Sequence, residues 1–251
     1  MFNTEFFAKT FFLALSGIPT TLNITAVSLL IAVPLAFFMA LSRIYRVPMA
    51  RQAVTLYVSF VRGTPLILQI LIVYSLVPSL LAAFFKEIGS SYNIFDLNPI
   101  VYGYTVFSLN TAALLTEVFR SALLTVDKGQ LEAAHSIGIG TVRAYTRIIL
   151  PQALVVALPN LANTTITLIK STSLAFMMTI KEITALAKLE ANYGYNYIEA
   201  YLDIWIVYIL LCSAIEFLFR WAEKAMKVYK SGKTGSVRKN SRKEAVSHAE
   251  G

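Results

Sequence analysis

Four long runs of uncharged, mostly apolar residues constrain the fold of this chain more than any other feature. The runs cover residues 18–42, 63–85, 97–116 and 148–169. Each is close to the ~20 residues that an α-helix needs to cross ~30 Å of hydrocarbon. Hydrophobic residues make up 57% of the chain, and its mean hydropathy of +0.63 lies outside the range of ordinary soluble domains. The sequence therefore predicts an all-α integral membrane protein.

A fifth span is predicted near the C-terminus. Its apolar centre, residues 204–215, is bounded by Asp203 and Glu216 and is too short to cross a bilayer alone. Trp205 and Trp221 suit the two membrane interfaces, so the span is extended to residues 201–221. Glu216 would then lie near a membrane edge. The total prediction is five transmembrane helices.

Positive charges predict the orientation of these spans. The formal net charge is +8, and basic residues concentrate in the loop 43–51, in the segment 117–147 and in the tail. The segments 83–98 and 181–199 carry few basic residues and more acidic ones. Because cytoplasmic loops are enriched in Lys and Arg, the N-terminus is predicted outside and the C-terminus in the cytoplasm of a multi-pass cell-membrane protein. The charge is interpreted as a topology signal, and no nucleic-acid partner is predicted.

The flanking segments divide the chain into three parts. Residues 1–19 are interpreted as a retained, phenylalanine-rich interfacial segment outside the membrane, because they lack the basic start of a secretory signal. Residues 20–229 form the predicted transmembrane domain, with a cytoplasmic loop at 117–147. Residues 230–251 have no apolar periodicity and are predicted to be a disordered basic tail.

The sequence shows no grouping of the catalytic or metal-binding residues that most membrane enzymes require. The chain has two histidines, His135 and His248, which are far apart in sequence, and its single cysteine, Cys212, lies in an apolar span. No metal site, no catalytic group and no cofactor in this chain is predicted. A passive channel stays an alternative, because it would use the same spans and polar intramembrane residues.

The loop between the third and fourth spans is polar and punctuated by glycine. Residues 128–151 read KGQLEAAHSIGIGTVRAYTRIILP. Ala133, Ala134 and Ile137 are predicted to form a short helix with a small-residue face, which Gly138 and Gly140 end. A loop without a special role is usually shorter and more polar. The segment is therefore interpreted as a helix that docks into a groove on a partner protein.

The same loop resembles a known signature. Glu132-Ala133-Ala134, three residues, Gly138, nine residues, Ile148, one residue and Leu150-Pro151 match the EAA signature of ABC importer permeases at every defined position. The stretches FVRGTPLILQ, TEVFRSAL and LPNLANTTITLIKSTSL are similar to the polar amino-acid uptake subfamily. The resemblance covers roughly residues 20–228, and the chain is most similar in general appearance to cystine permeases.

This resemblance implies the type I ABC importer fold and a set of partners. Separate ATPase subunits would bind ATP-Mg and hydrolyse it, a solute-binding protein outside the membrane would deliver a small amino acid, and a second permease subunit, identical or related, would complete the pore in the lipid bilayer. The permease itself would not be an enzyme. The coupling residues implied by the resemblance are Glu132, Ala133, Ala134, Gly138 and Gly140. L-cystine is the implied cargo, with glutamine or the basic amino acids as the alternative.

Polar residues within the spans predict the route of the substrate. Lys170 follows 22 uncharged residues and is surrounded by Ser and Thr side chains. An ammonium group at such depth usually faces water or an anionic partner, which predicts that Lys170 receives the substrate carboxylate. Asn110 or Glu117 would face the ammonium end of the substrate. The complete predicted pathway contains Lys170, Asn110, Glu117, Ser173 and Gln69.

Overall fold

A computed structural model describes residues 2–90 and 93–247, with side chains described as far as residue 225. Within these ranges the regular structure is helical. The α-helices are α1 (Thr4–Ser16), α2 (Ile18–Ile44), α3 (Ala50–Gly63), α4 (Leu66–Glu87), α5 (Ile100–Leu124), α6 (Gly129–Ser136), α7 (Thr141–Ala144), α8 (Leu150–Ser171), α9 (Ile183–Gly194) and α10 (Tyr197–Ser247). Two 3-10 segments, Ile94–Asp96 and Thr172–Met178, and one π-helical turn, Tyr145–Ile149, connect them.

Each of the five predicted spans lies on a long helix, namely α2, α4, α5, α8 or α10. By length and hydropathy alone, four stretches of the described residues can cross a membrane: Thr4–Ile44, Leu66–Glu87, Thr141–Met178 and Tyr197–Ala225. The span predicted at 97–116 is α5, which is not among these four. This helix is long enough to span, but polar side chains such as Asn110 and Glu117 lower its hydropathy.

Helix α5 carries these polar residues because other helices surround it. Its side chains pack against α2, α3, α4 and α8. The α2 surface that meets α5 contains Ala32, Ala36 and Ala40, all fully buried, and Leu115 and Phe119 of α5 pack over it. Small residues four positions apart allow two helix backbones to approach closely in a membrane. The alanine repeat therefore fixes the most extensive helix pair of the domain.

The region before the second span differs from the sequence prediction. The sequence analysis gave a loop at 43–51 and an apolar run from Gly63 and assigned no structure to the residues between them, whereas residues 50–63 form the separate helix α3. Arg62 consequently lies in the last turn of α3 rather than at the start of a span. Pro65 separates the two helices, and α4 begins only at Leu66. The sequence analysis missed α3 because it searched for continuous hydrophobic runs, and the polar and apolar residues of this helix are interspersed.

Helices α1 and α2 meet at Gly17, where α9 approaches them closely. A Cβ atom built on Gly17 would lie 2.5 Å from the Ile183 backbone nitrogen and 2.8 Å from the Glu182 carbonyl carbon. Both are backbone atoms at the start of α9, so no side-chain rotation relieves the contact. Gly17 therefore holds the N-terminal helix against α9.

We expect Gly17→Ala to destabilise the protein by ~1–3 kcal/mol, because overpacking of a close contact must displace backbone. The measurement is the thermal midpoint of the purified importer in detergent. Gly63→Ala is the matched control, since its added Cβ would have no heavy atom within 4 Å. An unchanged midpoint for Gly17→Ala would contradict the close approach of α1, α2 and α9.

The C-terminal helix extends farther than the sequence predicts. Helix α10 runs from Tyr197 to Ser247, so residues 230–247, which were predicted to be disordered, have helical backbone. Proline is absent from this stretch, and Lys and Arg, which favour helices, are frequent in it. Residues 248–251, including His248, lie outside the described residues.

Candidate functional site

The predicted docking helix is present as α6, and its start has a side-chain cap. The Asp127 carboxylate accepts a hydrogen bond of 2.8 Å from the Gly129 backbone N–H. Such a bond satisfies one of the free donors at a helix N-terminus. Glu132 and Ala133 are exposed, while Ala134 is 2% exposed. The helix therefore packs its Ala134 side against the rest of the loop and presents its Glu132 side outward.

The end of α6 is a complete Schellman motif. Gly138 has φ +78°, its N–H donates to the His135 carbonyl at 3.0 Å, and the Ile139 N–H donates to the Ala134 carbonyl at 2.9 Å. These two bonds define the motif, and the left-handed residue is usually glycine because it has no Cβ. The sequence prediction that Gly138 ends the helix is confirmed. Gly140 has an ordinary extended conformation, φ −65°, and precedes α7.

Two large apolar side chains stand at the tip of this loop. Ile137 is 75% exposed and Val142 is 77% exposed. They flank the turn at Gly138 and Gly140, next to the exposed Glu132. Exposed apolar side chains in a compact group are typical of a protein contact surface. Val142 was missed by the sequence analysis, although its place four residues after the signature glycine, Gly138, would have indicated it.

The loop is joined rigidly to the membrane helix that follows. The Gln152 amide of α8 donates to the Gln130 side-chain oxygen of α6 at 2.7 Å. Between the two, Tyr145–Ile149 forms a π-helical turn immediately before Pro151. Proline has no amide hydrogen, so the regular hydrogen-bond ladder cannot pass through it, and a wider turn accommodates the break. The bond between Gln130 and Gln152 therefore ties α6 to the first turn of α8.

The predicted pathway residues fall into three separate sets of contacts. Gln69 and Asn110 form the first set: the Asn110 amide donates to the Gln69 oxygen at 3.1 Å. The Gln69 amide in turn donates to the Val61 carbonyl at 2.9 Å and the Thr64 hydroxyl at 2.9 Å. Gln69 therefore bridges the break between α3 and α4 and ties it to α5.

Glu117 belongs to a second set, made of arginines. Its carboxylate forms an ion pair with Arg43, lies 3.9 Å from Arg62 and lies 4.0 Å from Arg120. These residues come from α2, α3 and α5, so one carboxylate joins the ends of three helices. Glu117 was predicted to face the substrate ammonium group. Its surroundings are instead cationic, which disfavours a second cation there.

Lys170 and Ser173 form the third set, in a cavity of about 590 Å³ between α8, α9 and α10. The opposite wall includes Tyr201, Trp205 and Glu216. Glu216 is ion-paired with Arg220 at 2.6 Å. The cavity thus contains a cation, a carboxylate and aromatic rings, which can contact the three parts of a zwitterionic amino acid.

Buried acidic side chains near this cavity were missed by the sequence analysis, which counted Glu182 among the charges of segment 181–199 and treated Asp203 only as a boundary of the fifth apolar run. Glu182 is fully buried and accepts hydrogen bonds from the Thr184 and Ala185 N–H groups and from the Tyr208 hydroxyl. Burial raises the pKa of Glu182 to about 7 against the opposing effect of those donors. Asp203 of α10 is also fully buried. Glu182 thereby ties the start of α9 to Tyr208 of α10, whereas neither carboxylate oxygen of Asp203 has a hydrogen-bond partner among the described residues.

The described residues contain no cluster of three metal-ligating side chains. His135, on α6, contacts the Thr141 hydroxyl at 3.2 Å, and Cys212 is a buried thiol on the cavity wall.

Comparison with known proteins gives consistent matches over most of the chain. Residues 32–228 match the family model described as binding-protein-dependent transport system inner membrane component. The L-cystine transport system permease protein TcyL of Bacillus subtilis (strain 168) is 38% identical over 210 residues, which are 84% of this chain and 85% of the relative. The octopine transport system permease protein OccM of Rhizobium radiobacter is 34% identical over 226 residues, 90% of each chain.

Solved structures agree with this assignment of the fold. An amino acid ABC transporter crystallised with histidines superposes with a TM-score of 0.69 at 26% identity, covering 85% of this chain and 94% of that one. The inward-facing methionine transporter MetNI superposes with a TM-score of 0.60 at 16% identity, covering 89% and 97%. The fold is therefore that of the type I ABC importer permeases.

Proposed function

We propose, on the premise that this chain belongs to the family of binding-protein-dependent transport system inner membrane components, that its cargo is L-cystine. The chain is a multi-pass membrane permease subunit of an amino-acid ABC importer. It is not itself an enzyme, because ATP hydrolysis belongs to a separate ATPase subunit, and a solute-binding protein is its other partner.

The observation that carries the cystine proposal is the similarity to two permeases named for this substrate. TcyL is 38% identical and TcyB of the same organism is 36% identical over 200 residues. Relatives named for octopine and nopaline transport are 34% and 32% identical, so the runner-up is another polar amino acid, such as glutamine or a basic amino acid.

The cavity between α8 and α10 supports an amino-acid cargo of this kind. Lys170 supplies a positive charge for a carboxylate, and Glu216 supplies a negative charge for an ammonium group. Both groups line one cavity, whereas Asn110 and Gln69 bind each other elsewhere. In this proposal Lys170 and Ser173 contact the substrate directly, and Gln69, Asn110 and Glu117 maintain the packing of the helices that enclose its route.

Transport follows from movement of the docking loop. The ATPase, which in this proposal binds ATP-Mg, closes on ATP and carries α6 with it through contacts at Glu132, Ala133 and Ile137. The hydrogen bond between Gln130 and Gln152 then transmits the movement to α8, which bears Lys170. A second permease subunit covers the exposed face of the cavity, so that closure alternates access between the two sides.

Orientation is tested by reporter fusions. Fusions within residues 81–98 should report outside the cell, while fusions after Lys128 and after Lys230 should report in the cytoplasm, because basic residues concentrate in the latter segments. Tyr92 in the first segment lies outside the described residues. A cytoplasmic signal between residues 81 and 98 would contradict both the five-span arrangement and the assignment of α6 to the cytoplasmic side.

Cargo is tested with the complete importer in proteoliposomes. We expect its solute-binding protein to bind L-cystine by calorimetry and the complex to accumulate labelled L-cystine only with internal ATP. Glutamine and arginine are the comparison substrates. Preferential uptake of either would identify that amino acid as the cargo in place of cystine. Uptake without ATPase or ATP would instead indicate a passive channel.

A further inference from the structure

A second cavity, at the other end of the bundle from α9, has strongly cationic walls. It has a volume of about 460 Å³ and lies among the end of α2, the start of α3 and the end of α5. Its charged walls are Arg43, Arg46, Arg51, Arg120 and Lys128. No carboxylate of the described ranges lines it, and Glu117, which pairs with Arg43 and Arg120, balances only a fraction of the charge. The cavity is therefore built for an anion.

The turn that forms one wall of this cavity is strained. Arg46 and Met49 have φ values of 54° and 61°, which non-glycine residues rarely adopt. Pro48 lies between them, and the Arg51 N–H donates to the Val47 carbonyl at 3.0 Å, which closes the turn. Such strain is concentrated at ligand-binding sites, where the surroundings maintain it. Here it holds Arg46 and Arg51 on the same cavity.

An apolar groove adjoins the cationic cavity through the same turn. It has a volume of about 650 Å³ and shares Arg46, Arg51 and Thr55 with its neighbour. Its remaining walls include Met49 and Leu56, which are 82% and 73% exposed. A ligand that filled both spaces would need a concentrated negative charge joined to a hydrocarbon chain.

We propose that the two spaces bind one anionic phospholipid, with its headgroup phosphate in the cationic cavity and an acyl chain in the groove. Arginine binds phosphate through two parallel N–H donors, and several arginines here converge on one volume. A free polyphosphate would leave the apolar groove unfilled. An acidic surface of a partner protein is the other alternative occupant. It would explain the arginines, but it would not explain why an exposed apolar groove of a membrane domain adjoins them.

The position of this lipid connects it to transport. Arg120 lies in the C-terminal part of α5, and Lys128 directly precedes α6, the docking helix of the proposed function. A bound headgroup would link these residues to the turn between α2 and α3. The lipid would thereby brace the base of the docking loop. The binding itself does not depend on the cargo or on the docking role of α6.

The test measures lipid retained by the purified permease–ATPase complex. After delipidation, the complex is offered equal amounts of phosphatidylglycerol and phosphatidylcholine, and the retained lipid is counted by native mass spectrometry. We expect wild type to prefer phosphatidylglycerol and Arg46→Gln/Arg51→Gln to lose about fivefold of that preference per arginine removed. The control Lys86→Gln/Lys224→Gln removes the same charge from two exposed lysines of α4 and α10, which do not line either space, and should keep the preference.

Three outcomes would overturn the proposal. In the first, wild type and the arginine double variant retain the two lipids equally. In the second, glycerophosphoglycerol or inorganic pyrophosphate, which lack acyl chains, displace the lipid at comparable concentrations and so indicate a free-phosphate site. In the third, the double variant keeps its lipid preference but loses the ATPase during purification, which indicates a protein-docking surface. Cystine uptake is not a readout here, so failure of the lipid proposal leaves the cargo proposal unaffected.

Discussion

Glu132→Lys should abolish ATP-driven uptake by the complete importer while the permease remains folded and inserted. Glu132 is exposed on α6 beside Ala133, and its carboxylate has no ion-pair partner in the described part of this chain. A free carboxylate on a docking helix is therefore available to a partner. Reversal of its charge would place like charges together across the contact, which commonly costs several kcal/mol. Uptake in proteoliposomes and co-purification of the ATPase are the two measurements.

The matched control for Glu132→Lys is Glu132→Gln, which removes the charge but keeps the shape. We expect it to retain part of the uptake, because only the attraction is lost and no repulsion is introduced. Wild-type uptake by Glu132→Lys would show that α6 does not bind the ATPase through this side. Loss of the folded permease, measured by its thermal midpoint, would instead assign Glu132 a role in stability.

We expect a substitution at the end of α6 to reduce uptake as strongly as one on its exposed side. Gly138→Asp introduces a side chain at φ +78°, where a left-handed conformation costs a non-glycine residue ~1–2 kcal/mol. We expect uptake to fall severalfold or more, because the turn that aims Ile137 at the partner relaxes. Gly89→Asp is the control. Gly89 has φ +70° and, like Gly138, open space around it, but it lies at the end of α4, away from α6. Equal losses from both variants would indicate general strain and no coupling role.

The coupling loop could be predicted from sequence because its determinants are local. Gly138 and Pro151 have conformational effects on their own neighbours, so their positions in the chain predict where α6 ends and where α8 begins. The alanines at 32, 36 and 40, which the sequence analysis did not single out, also have the four-residue spacing that favours a close helix contact. Their partner on α5 was not predictable, since the spacing does not identify the opposing helix.

The contacts of the predicted pathway residues could not be predicted from the sequence. Lys170, Asn110 and Glu117 were grouped because each is polar within a span, and position along the chain does not tell which helix faces which. In the structure Asn110 binds Gln69, and Glu117 is surrounded by arginines from three helices. Glu216 was interpreted as a residue of the membrane edge, yet it lines the cavity that contains Lys170. Which of these side chains are in contact depends on the arrangement of the helices, which position along the chain does not give.

Lys170→Met should insert normally and bind the ATPase but lose most of the uptake, by tenfold or more. Its ammonium group lines the cavity between α8 and α10, where removal of the charge leaves a substrate carboxylate without a partner. An unpaired charge in a membrane interior costs at least ~2.5 kcal/mol, which supports a change of this size. Lys170→Arg should retain part of the uptake, because the charge survives although the shape differs. Initial rates in proteoliposomes with saturating binding protein provide the measurement.

Two further variants separate a substrate role of Lys170 from a structural one. Lys181→Met removes an exposed lysine eleven residues after Lys170, outside the cavity, and should transport like wild type. Glu216→Gln removes the carboxylate of the same cavity, and we expect it to raise the concentration of substrate needed for half-maximal uptake, because the ammonium group loses its counter-charge. Wild-type uptake by Lys170→Met would show that this cavity does not bind the cargo. The same conclusion would follow if Lys170→Met and Glu216→Gln both lowered the thermal midpoint without changing uptake by the folded fraction. In that case the cation and the carboxylate have a structural role only, and the substrate route must lie elsewhere in the helix bundle.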